Sequence, residues 1–220
     1  MSRPDQSFFL AHFTKNGDKY TGEEKENSSF DEMSARQRLI SILQDRTIKA
    51  STVPWVKKKV VCFTECPWGS LLRHAEKYSP YGIGFTKKLI YSRKGNPVLY
   101  LNPELFNLQQ KDNPIYPFIN PFLPSYASDK QKKTAFHGCI VDYTHEREWR
   151  LTKDFKFQYT SATFVILKSV SDLEVIPDEI RNAIGLDRFI FMDTYRKIEE
   201  LWPTHWYCQD LCAKLFAGSG

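Results

Sequence analysis

Apolar residues in this chain come in short, strand-length runs, and that most limits how it can fold. "FFLAHFT" (8–14), "KKKVVCFTE" (57–65), "YGIGFTKK" (81–88), "SATFVILKSV" (161–170) and "RFIFMD" (188–193) are rich in β-branched and aromatic residues and bounded by Gly, Pro or charge. Helical spacing is confined to a few stretches. The clearest is "MSARQRLISILQDRTIKAS", with Ser34 as N-cap and Leu39, Ile40, Ile42 and Leu43 on one side. "PWGSLLRHAEKY", carrying His74, reads as a second helix, and "SDLEVIPDEIRNAI" opens on an acidic turn suited to a helix start. The pattern predicts an α+β fold with a mixed, mainly antiparallel β-sheet core of about six or seven strands and flanking helices.

A chain of 220 residues is long enough for a sizeable core, and residues 1–217 read as one domain. The closing "GSG", 218–220, reads as an appended remnant. Aromatic residues make up 15%, which suits cross-strand ring pairs or a planar ligand held between rings. A net charge of +5 permits a polyanionic partner without requiring one. "KKK" at Lys57–Lys59 reads either as a solvated strand entrance or as a phosphate contact.

No apolar run approaches the roughly 20 residues that cross a bilayer, and the N-terminus lacks a signal-peptide pattern, so a cytoplasmic location is expected. Five cysteines, an odd number, fit a reducing compartment. Cys62/Cys66 and Cys208/Cys212 have CxxxC spacing with His205 nearby, which matches no common zinc pattern. They are read as small core residues, and no metal is expected.

Two segments stand out. The proline-studded "KDNPIYPFINPFLPSYASDKQKKT" is too long for a plain connection, and 113–128 reads as a mobile cover over a cleft. "DYTHEREWRL", 142–151, reads as a strand crowded with charge. Period-two alternation puts Glu146 and Glu148 on one face and Arg147, Trp149 and Leu151 on the other. Two carboxylates sharing a face make either a solvated edge with surface ion pairs, each contributing roughly 0–1 kcal/mol, or a site.

The order of "HFT" at 12–14, "RLISILQDRTIKAS" and "ERE" at 146–148 resembles the ADP-ribosyltransferase superfamily. More narrowly, "HFT", "RLISIL", "VCFTECP", "YGIGFTK", "NPVLY", "EREWRL" and "IEELWPTHW" look like the AbiGi family of bacterial phage-defence proteins, which is described as the antitoxin half of a toxin–antitoxin pair. A weaker likeness is to DarT-type enzymes that ADP-ribosylate DNA bases, although no arginine stands in "CFTE".

The superfamily resemblance implies that NAD is bound and that ADP-ribose is transferred to a nucleic-acid or protein target, or that NAD is hydrolysed. Glu148 would then stabilise an oxocarbenium-like state at the ribose, and Glu146 would orient the acceptor. His12 and Thr14 would hold a ribose or the carboxamide, Tyr81 and Phe85 would stack on nicotinamide, and Thr64 with Glu65 would take the middle-strand place. The AbiGi resemblance implies instead a non-catalytic antitoxin or immunity module that binds a cognate toxin. Residue by residue, the plainer readings are a structural histidine at His12 and core aromatics at Tyr81 and Phe85.

Overall fold

The computed structural model describes residues 7–25, 28–65, 75, 78–134 and 139–201. The helix expected over 67–78, apart from Ala75 and Tyr78, and Cys66, Trp202, His205, Trp206, Cys208 and Cys212 lie outside the described residues.

Among the described residues, eight strands form one sheet. They are β1 (Phe9–Phe13), β3 (Ser51–Thr52), β4 (Lys59–Thr64), β5 (Gly82–Thr86), β6 (Asn96–Pro97), β9 (Glu148–Leu151), β11 (Phe164–Leu167) and β12 (Phe189–Phe191). The order is β12-β11-β5-β1-β4-β9-β6, with β3 pairing β4. All pairs are antiparallel except β11 with β12, so the expected α+β, mainly antiparallel architecture is what the chain forms. β2 (Thr47–Ile48) pairs antiparallel with β10 (Phe155–Lys156), and β7 (Leu99–Leu101) pairs parallel with β8 (Ile119–Pro121).

The helices cover the faces. α1 (Ala35–Asp45) begins where the sequence places it: Ser34 Oγ accepts from the Gln37 N–H at 3.1 Å, and Gln37 Oε1 accepts from the Ser34 N–H at 3.0 Å. That reciprocal cap contributes about 1 kcal/mol. α1 lays Leu39 and Leu43 onto one sheet face with Val61, Phe63, Ile83, Phe85, Val165 and Leu167, and each fully buried leucine contributes roughly 1.5–3 kcal/mol. α5 (Asp178–Ile184) adds Ile180 and Ile184 to the same core; the acidic opening of "SDLEVIPDEIRNAI", expected to start a helix, is instead a 3-10 turn over Val170–Val175, and the α-helix begins only after Pro177. α2 (Lys87–Ser92), α3 (Pro103–Asn107), α4 (Asp129–Thr134) and α6 (Met192–Leu201) complete the helices of the described residues. No helix among them is long and apolar enough to cross a membrane.

The opposite sheet face is thinner. Ala11, Phe164, Ile166 and Met192 pack there. Gly84 sits beneath the Phe164 ring, and a Cβ at Gly84 would lie 2.1 Å from the ring's Cζ, so only glycine admits this approach.

Two expectations are corrected. The proline-rich segment is packed structure where it crosses the sheet edge. Ile119, Asn120 and Leu123 are buried, Tyr116 packs with Val56, and β8 runs parallel to β7, with Pro121 at the end of the ladder. The charged stretch is also not one strand. Thr144–Glu146 is a single 3-10 turn, Arg147 follows with φ 44° in the left-handed region, and β9 starts only at Glu148. The crowding of charge is resolved by breaking the strand before Glu148.

Candidate functional site

β1 and β4 are paired at one position among the described residues, Ala11 opposite Thr64, and Thr64 is in turn opposite Glu148 on β9. Cross-strand partners point to the same face, so Ala11, Thr64 and Glu148 form one row and Cys62 and Arg150 the next. Above these rows lies a cleft of about 490 Å³, walled by Phe13, Trp55, Tyr78, Tyr143, Asn120 and the 3-10 turn carrying Glu146. Both glutamates singled out in the sequence therefore reach one cleft, although by different routes.

Glu148 is 9% exposed and Arg150 2%. Arg150 grips Glu148 with both arms of its fork, Nε to Oε1 at 2.8 Å and Nη2 to Oε2 at 3.0 Å. The rest of the guanidinium donates to the carbonyls of Pro117 and Ile119, both at 2.9 Å, and to Asn120 Oδ1 at 3.2 Å. Two buried charges held this way satisfy each other, and the pair ties β9 to the proline-rich segment. Sequence reasoning missed Arg150, although the signal was there: period-two spacing puts it on the Glu148 face.

Glu146 accepts from the Tyr78 hydroxyl, and its backbone carbonyl accepts from Thr64 Oγ1 at 2.5 Å. Burial, followed by the hydrogen bond to Glu146, pushes the Tyr78 phenol far above its ordinary value, so it remains a donor. Cys62 faces the same rows. Burial, then the nearby Glu148 charge, raises its thiol pKa well above the usual value, which disfavours the nucleophilic thiolate.

The other predicted residues lie elsewhere. His12 alternates with Ala11 along β1 and so belongs to the opposite face, paired with Ile83. Its Nδ1 donates to the Cys62 carbonyl at 2.8 Å, and its ring meets Phe63 edge-on at 6.0 Å. Burial outweighs that bond and lowers its pKa, so His12 is neutral near pH 7. Thr14 is buried and donates to the carbonyls of Ala35, at 2.8 Å, and Tyr81, at 3.2 Å, pinning the end of β1 to the start of α1. Phe85 is 0% exposed, with Phe155 at 4.9 Å and Phe157 at 5.1 Å, so it is a core ring and not a ligand clamp.

Tyr81 lines a separate cavity of about 440 Å³ beside the α1 N-terminus and donates its hydroxyl to Asp172 at 3.3 Å. Arg36 bridges that region, bonding Glu24 at 2.6 Å and Asp172 at 3.2 Å. Glu65 is buried in an ion pair with Lys87 at 2.6 Å. The structure thus gathers Thr64, Glu146 and Glu148 in one cleft and leaves His12, Thr14, Tyr81, Phe85 and Glu65 out of it. Among the described residues, no group of His, Cys, Asp and Glu is arranged to hold a metal ion.

No curated protein and no solved structure matches the chain. The family described as abortive phage resistance protein AbiGi, antitoxin, matches over residues 38–191, which takes in β4, β5, the proline-rich segment and the Glu148–Arg150 pair. With more than half of its length matched, the chain belongs to the AbiGi family of abortive phage resistance proteins.

Proposed function

We propose that the chain is the antitoxin half of a phage-defence pair and acts by binding and neutralising a partner toxin. The observation that carries this reading is the state of Glu148. Both of its carboxylate oxygens are engaged by Arg150, and Arg150 is itself committed to Pro117, Ile119 and Asn120. A carboxylate held this way is a strut of the fold, and the histidine that the sequence paired with it sits on the other sheet face. The antitoxin description of the family agrees. Growth rescue tests the reading: co-expression of this chain with its cognate toxin should restore growth, and a variant retaining the fold with Glu146→Gln should rescue equally well.

A second reading is favoured by one observation, the convergence of Thr64, Glu146 and Glu148 on a single 490 Å³ cleft with aromatic walls. In it, the chain is an ADP-ribosyltransferase-like domain that binds NAD there and transfers ADP-ribose to a nucleic-acid or protein target, or hydrolyses NAD. Glu148 would stabilise the oxocarbenium-like state and Glu146 would orient the acceptor. Nicotinamide release separates the two readings. Release that falls roughly 100-fold or more in Glu148→Gln, with circular dichroism showing the variant folded, would overturn the antitoxin reading; no release, with rescue intact, would remove the enzyme.

A further inference from the structure

The cleft holds one polar arm that the fold itself does not use. Asn120, on β8, is 4% exposed, and its Oδ1 accepts from Arg150 Nη2 at 3.2 Å. A guanidinium only donates, so this contact settles which end of the amide is oxygen and leaves Nδ2 as the other arm. Among the described residues Nδ2 has no hydrogen-bond partner, and the side chain lines the cleft. A donor withdrawn this far from water is costly unless an acceptor meets it, and a bound ligand can supply one.

The cleft also presents an acceptor. Glu146 sits on the 3-10 turn with its side chain 12% exposed, and its Oε1 accepts from the Tyr78 hydroxyl. A carboxylate accepts from up to about four donors, and two parallel N–H groups suit it best.

Flat rings stand around these two groups. β4 lies between β1 and β9 in the sheet. Phe13 ends β1 on one side of it, Tyr143 leads into the 3-10 turn before β9 on the other, and Trp55 lies in the β3–β4 turn. Lys15, two residues beyond Phe13, lines the same cleft with its side chain 67% exposed. A volume of about 490 Å³ is in the range of small-molecule sites.

Few ligands answer all three features. An organic cation satisfies the rings and Glu146 but offers nothing to the Asn120 amide; a simple anion satisfies Asn120 and is repelled by Glu146. Guanine carries a flat face and, along one edge, the O6 acceptor beside the N1–H and N2–H donors. Adenine has one N–H group beside a ring nitrogen whose lone pair would face the carboxylate.

We infer that the cleft binds a guanine nucleotide, its base among Phe13, Trp55 and Tyr143, N1–H and N2–H on Glu146, O6 on Asn120 Nδ2 and its phosphate at Lys15. The inference goes beyond toxin neutralisation, which Glu146→Gln is expected to leave intact, so the two can fail separately.

Calorimetry of the full chain with guanosine 5′-monophosphate provides the test. Binding is expected at about 10–100 μM, the range open to a ligand of this size. Inosine monophosphate, which lacks the N2 amine, should bind roughly tenfold weaker, and adenosine monophosphate roughly 30-fold weaker. Glu146→Gln should weaken guanosine monophosphate about tenfold or more, and so should Asn120→Asp, which keeps the Arg150 contact but turns the donor into an acceptor. Trp55→Leu should weaken it roughly fivefold through lost stacking. Lys15→Gln should weaken the nucleotide about threefold and leave guanosine unchanged. Glu32→Gln, outside the cleft, is the control and should have no effect; circular dichroism confirms that each variant is folded. Should Asn120→Asp fail to fold, Glu146→Gln and the nucleotide series decide. No binding of guanosine monophosphate at about 1 mM, far above the expected range, would overturn the inference. So would adenosine monophosphate, NAD or ADP-ribose bound as tightly, or unchanged affinity in Glu146→Gln.

Discussion

Arg150 and Glu148 stand two residues apart on one strand, side chains on the same face, joined by two parallel hydrogen bonds of 2.8 and 3.0 Å in a buried setting. The same guanidinium reaches across to Pro117, Ile119 and Asn120, so one side chain neutralises the cleft carboxylate and fastens the neighbouring segment.

Removing one partner should therefore cost far more than removing both. Arg150→Met leaves Glu148 buried without its cation and should destabilise the chain by about 3–5 kcal/mol. Arg150→Met combined with Glu148→Leu should recover a large part of that loss. Denaturant unfolding of the two single variants and the double variant measures the coupling. Arg150→Lys, which keeps the charge but loses the fork, should fall between wild type and Arg150→Met.

His12 makes stability depend on pH. Its folded pKa is held below that of an unfolded histidine, about 6.5, chiefly by burial. Below that pH the unfolded chain takes up the proton more readily than the folded one, so stability falls as pH drops from about 6.5 towards the folded value. The slope contributed is at most about 1.4 kcal/mol per pH unit. Comparing unfolding free energies of wild type and His12→Gln at pH 7 and pH 5 should show this component missing in the variant.

Gly84 tests the thinner sheet face. Ala at this position would drive its Cβ into the Phe164 ring, and overpacking of this kind costs about 1–3 kcal/mol. Phe164→Leu, added to Gly84→Ala, should return part of the loss, as read from the shift in unfolding midpoint.

The packed proline-rich segment should resist proteolysis. Tyr116, Ile119, Asn120 and Leu123 are buried, and two carbonyls are capped by Arg150. Limited digestion of the native chain should leave 116–123 intact. In Arg150→Met, cleavage there should become detectable at the same protease dose, since the segment loses its tie to β9.

Local chemistry alone determined much of the architecture. The short apolar runs marked β1, β4, β5, β11 and β12, because a strand covered on both faces, as β11 is throughout, reads as a brief run of β-branched and aromatic residues bounded by breakers. Ser34 and Gln37 set the start of α1, because a cap satisfies backbone donors within one turn.

What needed tertiary structure was the pairing of distant groups. His12 and Glu148 read as partners along the chain, yet strand register sends them to opposite faces, and register depends on neighbours far away in sequence. The "DYTHEREWRL" stretch read as one strand because alternation cannot reveal a left-handed Arg147. The proline-rich segment read as a loose cover because its anchor, Arg150, lies more than twenty residues away. Burying a guanidinium against the carbonyls of Pro117 and Ile119 is a decision of the folded chain, since only there does water leave those groups and make each the other's best partner.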